Sequence, residues 1–154
     1  MAVLSWNEIK TRAEAFVSEW QDKASSAREE ADAAEFMLGF LNIFGNEGRK
    51  KAIREYPVPL GTTENLLFGE SPGSEQKGYI DLLWKGKILI EMKSPGKDLS
   101  KAYEQAKRYA DGLSSKDFPQ GIVACDFCVF RYYDFSEELG LAPEMHEFAL
   151  AELP

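Results

Sequence analysis

Apolar residues near the start of the chain return every three or four positions. Ile9, Ala13, Phe16, Val17 and Trp20 form one stripe; Ala33, Phe36, Met37, Phe40, Leu41 and Phe44 form a second. A period near 3.6 places each set along one side of a helix, so residues 1–45 predict two amphipathic helices. Ser5 with Glu8 fits a capping box, in which hydroxyl and carboxylate reciprocally satisfy free backbone amides, and Ser26 with Glu29 offers another. Gly45-Asn46 supplies a stop signal.

The pattern then changes. Residues 53–58 suit a strand halted by Pro57 and Pro59, and 61–77 is rich in Gly, Ser, Thr, Glu and Pro around the apolar island Leu66-Leu67-Phe68. That segment reads as a long, mobile loop. Two apolar runs, 79–84 and 87–93, flank Lys85-Gly86 and read as a β-hairpin. Asp98 suits the N-cap of a third helix whose buried face is Leu99, Ala102, Tyr103, Ala106 and Ala110, with Gly112 at its end. Strands are expected at 121–125 and 129–134, and a short one around 148–150. The succession predicts an α/β fold, a mixed sheet with helices packed on it.

Composition narrows the class. A chain of 154 residues, 44% of them hydrophobic, suits one domain with one core. No apolar run is long enough to span a bilayer. The start, MAVLSWNEIK, lacks the basic and apolar regions of a secretory leader. Two cysteines make no disulfide scaffold, so a reducing, cytoplasmic setting is expected. The formal charge of −8 argues against a surface that coats nucleic acid indiscriminately. That charge is unevenly spread. Residues 75–110 hold eight Lys/Arg and five Asp/Glu, a net +3, which leaves −11 for the remainder.

The candidate chemistry lies in that basic window. Glu91 and Lys93 are two apart and share a strand face, whereas Met92 points the other way. Hairpin parity places Asp81. A three-residue loop, Lys85-Gly86-Lys87, sets Trp84 against Ile88 and Asp81 against Glu91; a two-residue loop would separate the carboxylates. The odd loop is the expectation adopted here. Two carboxylates and an ammonium would then meet among apolar neighbours, a costly arrangement unless a cation joins them. Oxygen ligands suit a hard divalent ion such as Mg²⁺, for which Mn²⁺ can substitute, and the Met92 carbonyl could add another oxygen. Lys93 could orient a water or stabilise charge on a phosphate. The competing reading is a solvated cross-strand ion pair of little energetic weight. The facing Asp, the apolar flanks and the helix behind favour a site. On that helix and just before it, Lys97, Lys101, Gln105 and Arg108 fall roughly on one side, where bases suit a phosphate backbone.

Asp81 followed by Glu91-Met92-Lys93 resembles the PD-(D/E)xK nuclease motif, and Gln105 with Tyr109 is similar to the Q-x-x-x-Y element that follows it. The string IEMKSPGKDLSKAYEQAKRYADGL, with SWNEIKTRAEAFVSEWQD, AEFMLGFLNIFG and HEFALAELP, resembles the N-terminal nuclease domain of the MmeI-like (type IIL) restriction–modification enzymes. The resemblance implies a restriction-endonuclease-like mixed sheet core flanked by helices, spanning 1–154, with N-terminal helices at 1–45 and the catalytic sheet and helix at 52–134. It implies a Mg²⁺-dependent endonuclease acting on double-stranded DNA, followed in the same polypeptide by methyltransferase and target-recognition domains. Asp81 and Glu91 would be metal ligands, Lys93 the catalytic lysine, and Gln105 and Tyr109 its support. A glutamate from an N-terminal helix joins the metal in many such enzymes; Glu30 is the choice, with Glu29 and Glu35 as rivals. Lys97, Lys101 and Arg108 would contact DNA. No glycine-rich methyl-donor loop occurs, so no S-adenosylmethionine site is expected. The alternative function is a catalytically silent domain of the same fold that contacts DNA or packs within a methyltransferase assembly.

Other groups attract blander readings. Cys125 and Cys128 lie between two strands without further zinc ligands and read as structural thiols. His146 reads as a surface residue. Trp6, Trp20 and Trp84 read as core.

Overall fold

Helix α1, Trp6–Gln21, begins at the anticipated box: Glu8 N–H donates to Ser5 Oγ (3.2 Å) and Ser5 N–H to Glu8 Oε2 (2.9 Å). The computed structural model describes residues 4–45, 47–59, 77–135 and 144–153. Residues 61–76 of the anticipated loop lie outside that set, and Lys77 already belongs to a strand.

Helix α2, Glu29–Asn42, does not use Ser26 as its cap. Residues Ala24–Ser26 form a 3-10 turn, Ser26 Oγ donates to the Lys23 carbonyl (3.2 Å), and Arg28 takes the cap position. The Arg28 N–H instead reaches Asp32 Oδ2 (2.8 Å). Arg12 Nη1 donates to the carbonyl of Asn42 (2.8 Å), tying α1 to the end of α2. A short helix α3, Glu47–Lys51, follows and had no apolar period to announce it.

The strands are β1 (Ile53–Pro59), β2 (Lys77–Trp84), β3 (Ile88–Met92), β4 (Gly121–Cys125), β5 (Val129–Asp134) and β6 (Glu144–Ala149), with helix α4 (Leu99–Asp111) between β3 and β4. Among the described residues they form one sheet in the order β1-β2-β3-β4-β5-β6. Only β3 and β4 pair in parallel; the other neighbours are antiparallel. A parallel pair needs a crossover, and α4 is that crossover, which lays it across the sheet behind β3. The mixed sheet with flanking helices agrees with a restriction-endonuclease-like core.

Pro57 and Pro59 do not end β1 as expected; both lie within it. The strand sits at the end of the sheet order, where a missing N–H need not face a partner. The last strand starts at Glu144, earlier than the short run expected around 148–150.

The sheet separates two apolar layers. On one face Phe16, Trp20, Phe36, Met37 and Phe40 of α1 and α2 meet Leu82, Ile90, Met92, Val123 and Phe130. Rings there pack edge to face, with Phe36 centred 5.0 Å from both Phe16 and Trp20. On the other face Leu99, Ala102, Ala106, Tyr109 and Ala110 of α4 cover Ile80, Leu83, Leu89, Ile122 and Ala124. Trp20 is buried and Trp84 half-buried, but Trp6 is 85% exposed, against expectation. The fully buried residues of α1 begin at Ala13, and in its first turn Ile9 packs at the margin of the core while Trp6 stands outside it.

Candidate active site

The hairpin turn decides the register. Lys87 N–H donates to the Trp84 carbonyl (2.9 Å), and Gly86, third in that turn, has φ +74°, the left-handed conformation a type II turn requires there. Trp84 pairs with Ile88, Leu83 with Leu89 and Leu82 with Ile90, and the pairing stops there, one residue short of Asp81 and Glu91. This is the odd-loop register. Past Leu82 and Ile90 a side chain links the strands: Met92 N–H donates to Asp81 Oδ2 (2.8 Å).

The strands are irregular at this level. Ile80 and Leu83 both belong to the α4 layer while Leu82 belongs to the α1–α2 layer, so strict alternation breaks around Asp81. Across β1, Glu55 lies between the pairs Arg54–Leu82 and Tyr56–Ile80 and has φ +51°. Such interruptions re-aim a side chain relative to its strand.

Glu91 is only 2% exposed. Its Oε1 lies 3.9 Å from Lys93 Nζ, which donates to Gln105 Oε1 (3.2 Å). Gln105 Nε2 in turn donates to the Tyr109 hydroxyl oxygen (2.8 Å). The four-residue spacing of Gln105 and Tyr109 stacks them on one side of α4. Asp98 starts that helix with its carboxylate accepting from Ser100 N–H (2.9 Å) and Lys101 N–H (3.4 Å). The backbone of Lys93 is fixed too, its N–H donating to the Cys125 carbonyl (2.8 Å) and extending the β3–β4 pairing.

Asp81, Glu91, Lys93, Gln105 and Tyr109 therefore form one connected group where β2, β3 and α4 meet. Lys101 is exposed and Arg108 half-buried, both within a turn of Gln105 on α4; Lys97 is exposed in the turn that precedes the helix. Glu30 and Glu29 lie at the start of α2, but their side chains are outside the described residues, and Glu35 is exposed. Among the described residues no group of three or more His, Cys, Asp or Glu side chains is disposed to hold a metal ion. A site here would draw two carboxylates from the strands and complete itself with a carbonyl and water. That all-oxygen set fits Mg²⁺, which keeps several waters. One N–H bond does not exhaust the acceptor capacity of the Asp81 carboxylate.

The family profile described as MmeI, N-terminal domain matches residues 11–154, nearly the whole chain and every residue of this group. The chain belongs to that family. No curated protein matches, and no solved structure does. Membership in the MmeI N-terminal domain family places the chain among the domains of restriction–modification enzymes. No helix among the described residues is long and apolar enough to cross a membrane.

Asp126 carries no periodic signal in the sequence. It is 7% exposed, and its carboxylate accepts from Val129 N–H (2.8 Å), Cys128 N–H (3.1 Å) and Gly96 N–H (3.3 Å). It thus pins the β4–β5 turn to the 94–97 turn that leaves Lys93, where Lys97 N–H donates to the Ser94 carbonyl (3.2 Å). Its neighbour Phe127, at φ +72°, buries its ring against Phe36 and Trp20. An Asp between two strands was the available signal, and the flanking cysteines drew attention from it. Those thiols are free, and burial raises the pKa of both, strongly for Cys125, which disfavours the thiolate. His146 is exposed on β6. An apolar cavity of about 510 Å³ is lined by Phe40, Phe44, Trp84, Phe130 and Phe148 among others, on the α2 side of the sheet; none of the five connected residues lines it.

Proposed function

We propose that the chain is a Mg²⁺-dependent DNA endonuclease domain with a PD-(D/E)xK site, forming one nuclease domain over 1–154 with its catalytic core in 52–134. The observation that carries this is the position of Lys93 Nζ, held by Gln105 (3.2 Å) and near buried Glu91 (3.9 Å), with Asp81 accepting from the N–H of Met92 (2.8 Å), the residue between them. Asp81 and Glu91 would hold the cation, with the Met92 carbonyl as a further donor and Glu30 as the helix-borne candidate. When bound, the ion supplies a Lewis acid beside the scissile phosphate and lowers the pKa of water. Hydrolysis forms a bond from water oxygen to phosphorus and breaks one from phosphorus to a deoxyribose oxygen. Lys93 places its ammonium where negative charge grows on the phosphate, the kind of preorganised donor that accelerates such reactions most. Gln105 and Tyr109 hold that ammonium in place.

Lys97, Lys101 and Arg108 would meet the DNA backbone. Partner domains for methylation and target recognition would follow in the same polypeptide, and any S-adenosylmethionine site would lie in them.

The decisive experiment compares nicking of supercoiled plasmid by the wild type, Asp81→Asn and Lys93→Ala with and without Mg²⁺. Each substitution is expected to lower the rate by about 100-fold or more with the fold retained by circular dichroism. Equal metal-dependent cleavage by all three would overturn the assignment. Folded wild type that binds duplex DNA but neither cleaves nor takes up Mn²⁺ would point to the catalytically silent domain.

A further inference from the structure

Gly78 lies in β2, three residues before Asp81, and its backbone faces the ring of Tyr109. A Cβ built on Gly78 would stand 2.3 Å from Tyr109 Cε1, 2.7 Å from Cζ and 2.9 Å from Cδ1. Real side chains do not approach so closely, and the ring is 9% exposed, held between helix and sheet with little freedom to retreat. Gly78 is buried as well. The bare backbone is therefore the seat on which Tyr109 rests. From there the contacts run in one direction: the Tyr109 hydroxyl to Gln105 Nε2 (2.8 Å), Gln105 Oε1 to Lys93 Nζ (3.2 Å), and Lys93 Nζ to Glu91 Oε1 (3.9 Å).

We infer that Gly78 is a positioning residue of the nuclease site: the missing side chain admits Tyr109 against β2, and through Gln105 it sets where the Lys93 ammonium stands. The inference rests on the nuclease reading and adds to it a residue that is neither charged nor polar and touches no reacting atom. Its logic is geometric. A methyl group at Gly78 pushes the ring off the strand, the Tyr109 oxygen moves with it, and Gln105 loses the fixed partner that orients its amide. Lys93 then keeps its charge but not its place, and displacement by about 1 Å can cost about 100-fold in rate.

The test is a double-mutant cycle in the 154-residue protein, with plasmid cleavage, Mn²⁺ affinity and melting temperature measured throughout. Gly78→Ala is expected to lower kcat by about tenfold or more, with KM and Mn²⁺ affinity unchanged, because the ligands Asp81 and Glu91 are untouched. Tyr109→Ala lowers kcat similarly and vacates the space a methyl group needs. Adding Gly78→Ala to Tyr109→Ala is then expected to cause no further loss in rate or in melting temperature. This arm also serves if Gly78→Ala alone fails to fold, because the double variant folds as well as Tyr109→Ala. Wild-type kcat in Gly78→Ala would overturn the inference, as would an equal loss from Gly78→Ala in both backgrounds. A wild-type protein without metal-dependent cleavage would instead defeat the nuclease reading itself, and with it this extension.

Discussion

Glu91 shows how far the site departs from what stability alone would select. A carboxylate at 2% exposure has Lys93 Nζ at 3.9 Å and a second carboxylate, Asp81, on the neighbouring strand. Burying a charge beside another of the same sign costs stability, and functional sites commonly carry such costs. Glu91→Gln removes one of the two carboxylate charges while keeping size and shape. It is expected to raise the melting temperature of the metal-free protein by about 2–4 °C, the shift about 1 kcal/mol produces in a chain of this length. In return Mg²⁺ should no longer raise that temperature, as it should in the wild type by binding the folded state alone. A calorimetric scan with and without metal checks both halves; a lower melting temperature in Glu91→Gln would show that the carboxylate is structurally required. The residue types themselves were legible. Asp, Glu and Lys at that spacing, flanked by apolar runs, announced the group, whereas Gly78 and Asp126 carried no periodic signal because their roles depend on segments far away in sequence.

Among the elements, α4 bears the most on function, because it supplies Gln105 and Tyr109 and covers one face of the sheet. Its start was foreseeable from Asp98, whose carboxylate does accept two amides. Asp98→Ala is expected to lower stability by about 1 kcal/mol through loss of this cap. The β4–β5 turn is a stricter case. Asp126 satisfies three backbone amides from two different turns, so Asp126→Ala should cost more, about 3 kcal/mol, by leaving three partly buried donors without that acceptor. Chemical denaturation of the two variants side by side tests this order, and an Asp126→Ala variant as stable as Asp98→Ala would contradict it. Strand β1 shows where local rules mislead. Two prolines argue against a strand interior only when both edges of the strand are paired, and β1 has a neighbour on one side only among the described strands. The capping box at Ser26 failed for a related reason: the Ala24–Ser26 turn satisfied the serine before α2 began.

Across the whole molecule, charge is partitioned. The chain totals −8, yet residues 75–110, which hold the candidate site, carry +3. Long-range repulsion would disfavour indiscriminate DNA binding, while the local bases would supply phosphate contacts. Lys97→Ala and Lys101→Ala are each expected to reduce the slope of log affinity for duplex DNA against log salt by about 1, with affinity falling uniformly across sequences. Anisotropy titrations over a salt series check this; unchanged slopes would place the DNA path elsewhere.

The sequence by itself determined the helices at the start, the hairpin and the crossover helix, and left open the parity of the hairpin loop. These follow from periodicity and turn chemistry, which act between residues close along the chain. Tertiary structure decided the rest. The hold of Gln105 on Lys93, the seat of Tyr109 on Gly78, the clasp of Asp126 on Gly96, the exposure of Trp6 and the edge position of β1 each depend on which distant segments pack together. Periodicity reports which side of an element is buried; only packing determines what it is buried against.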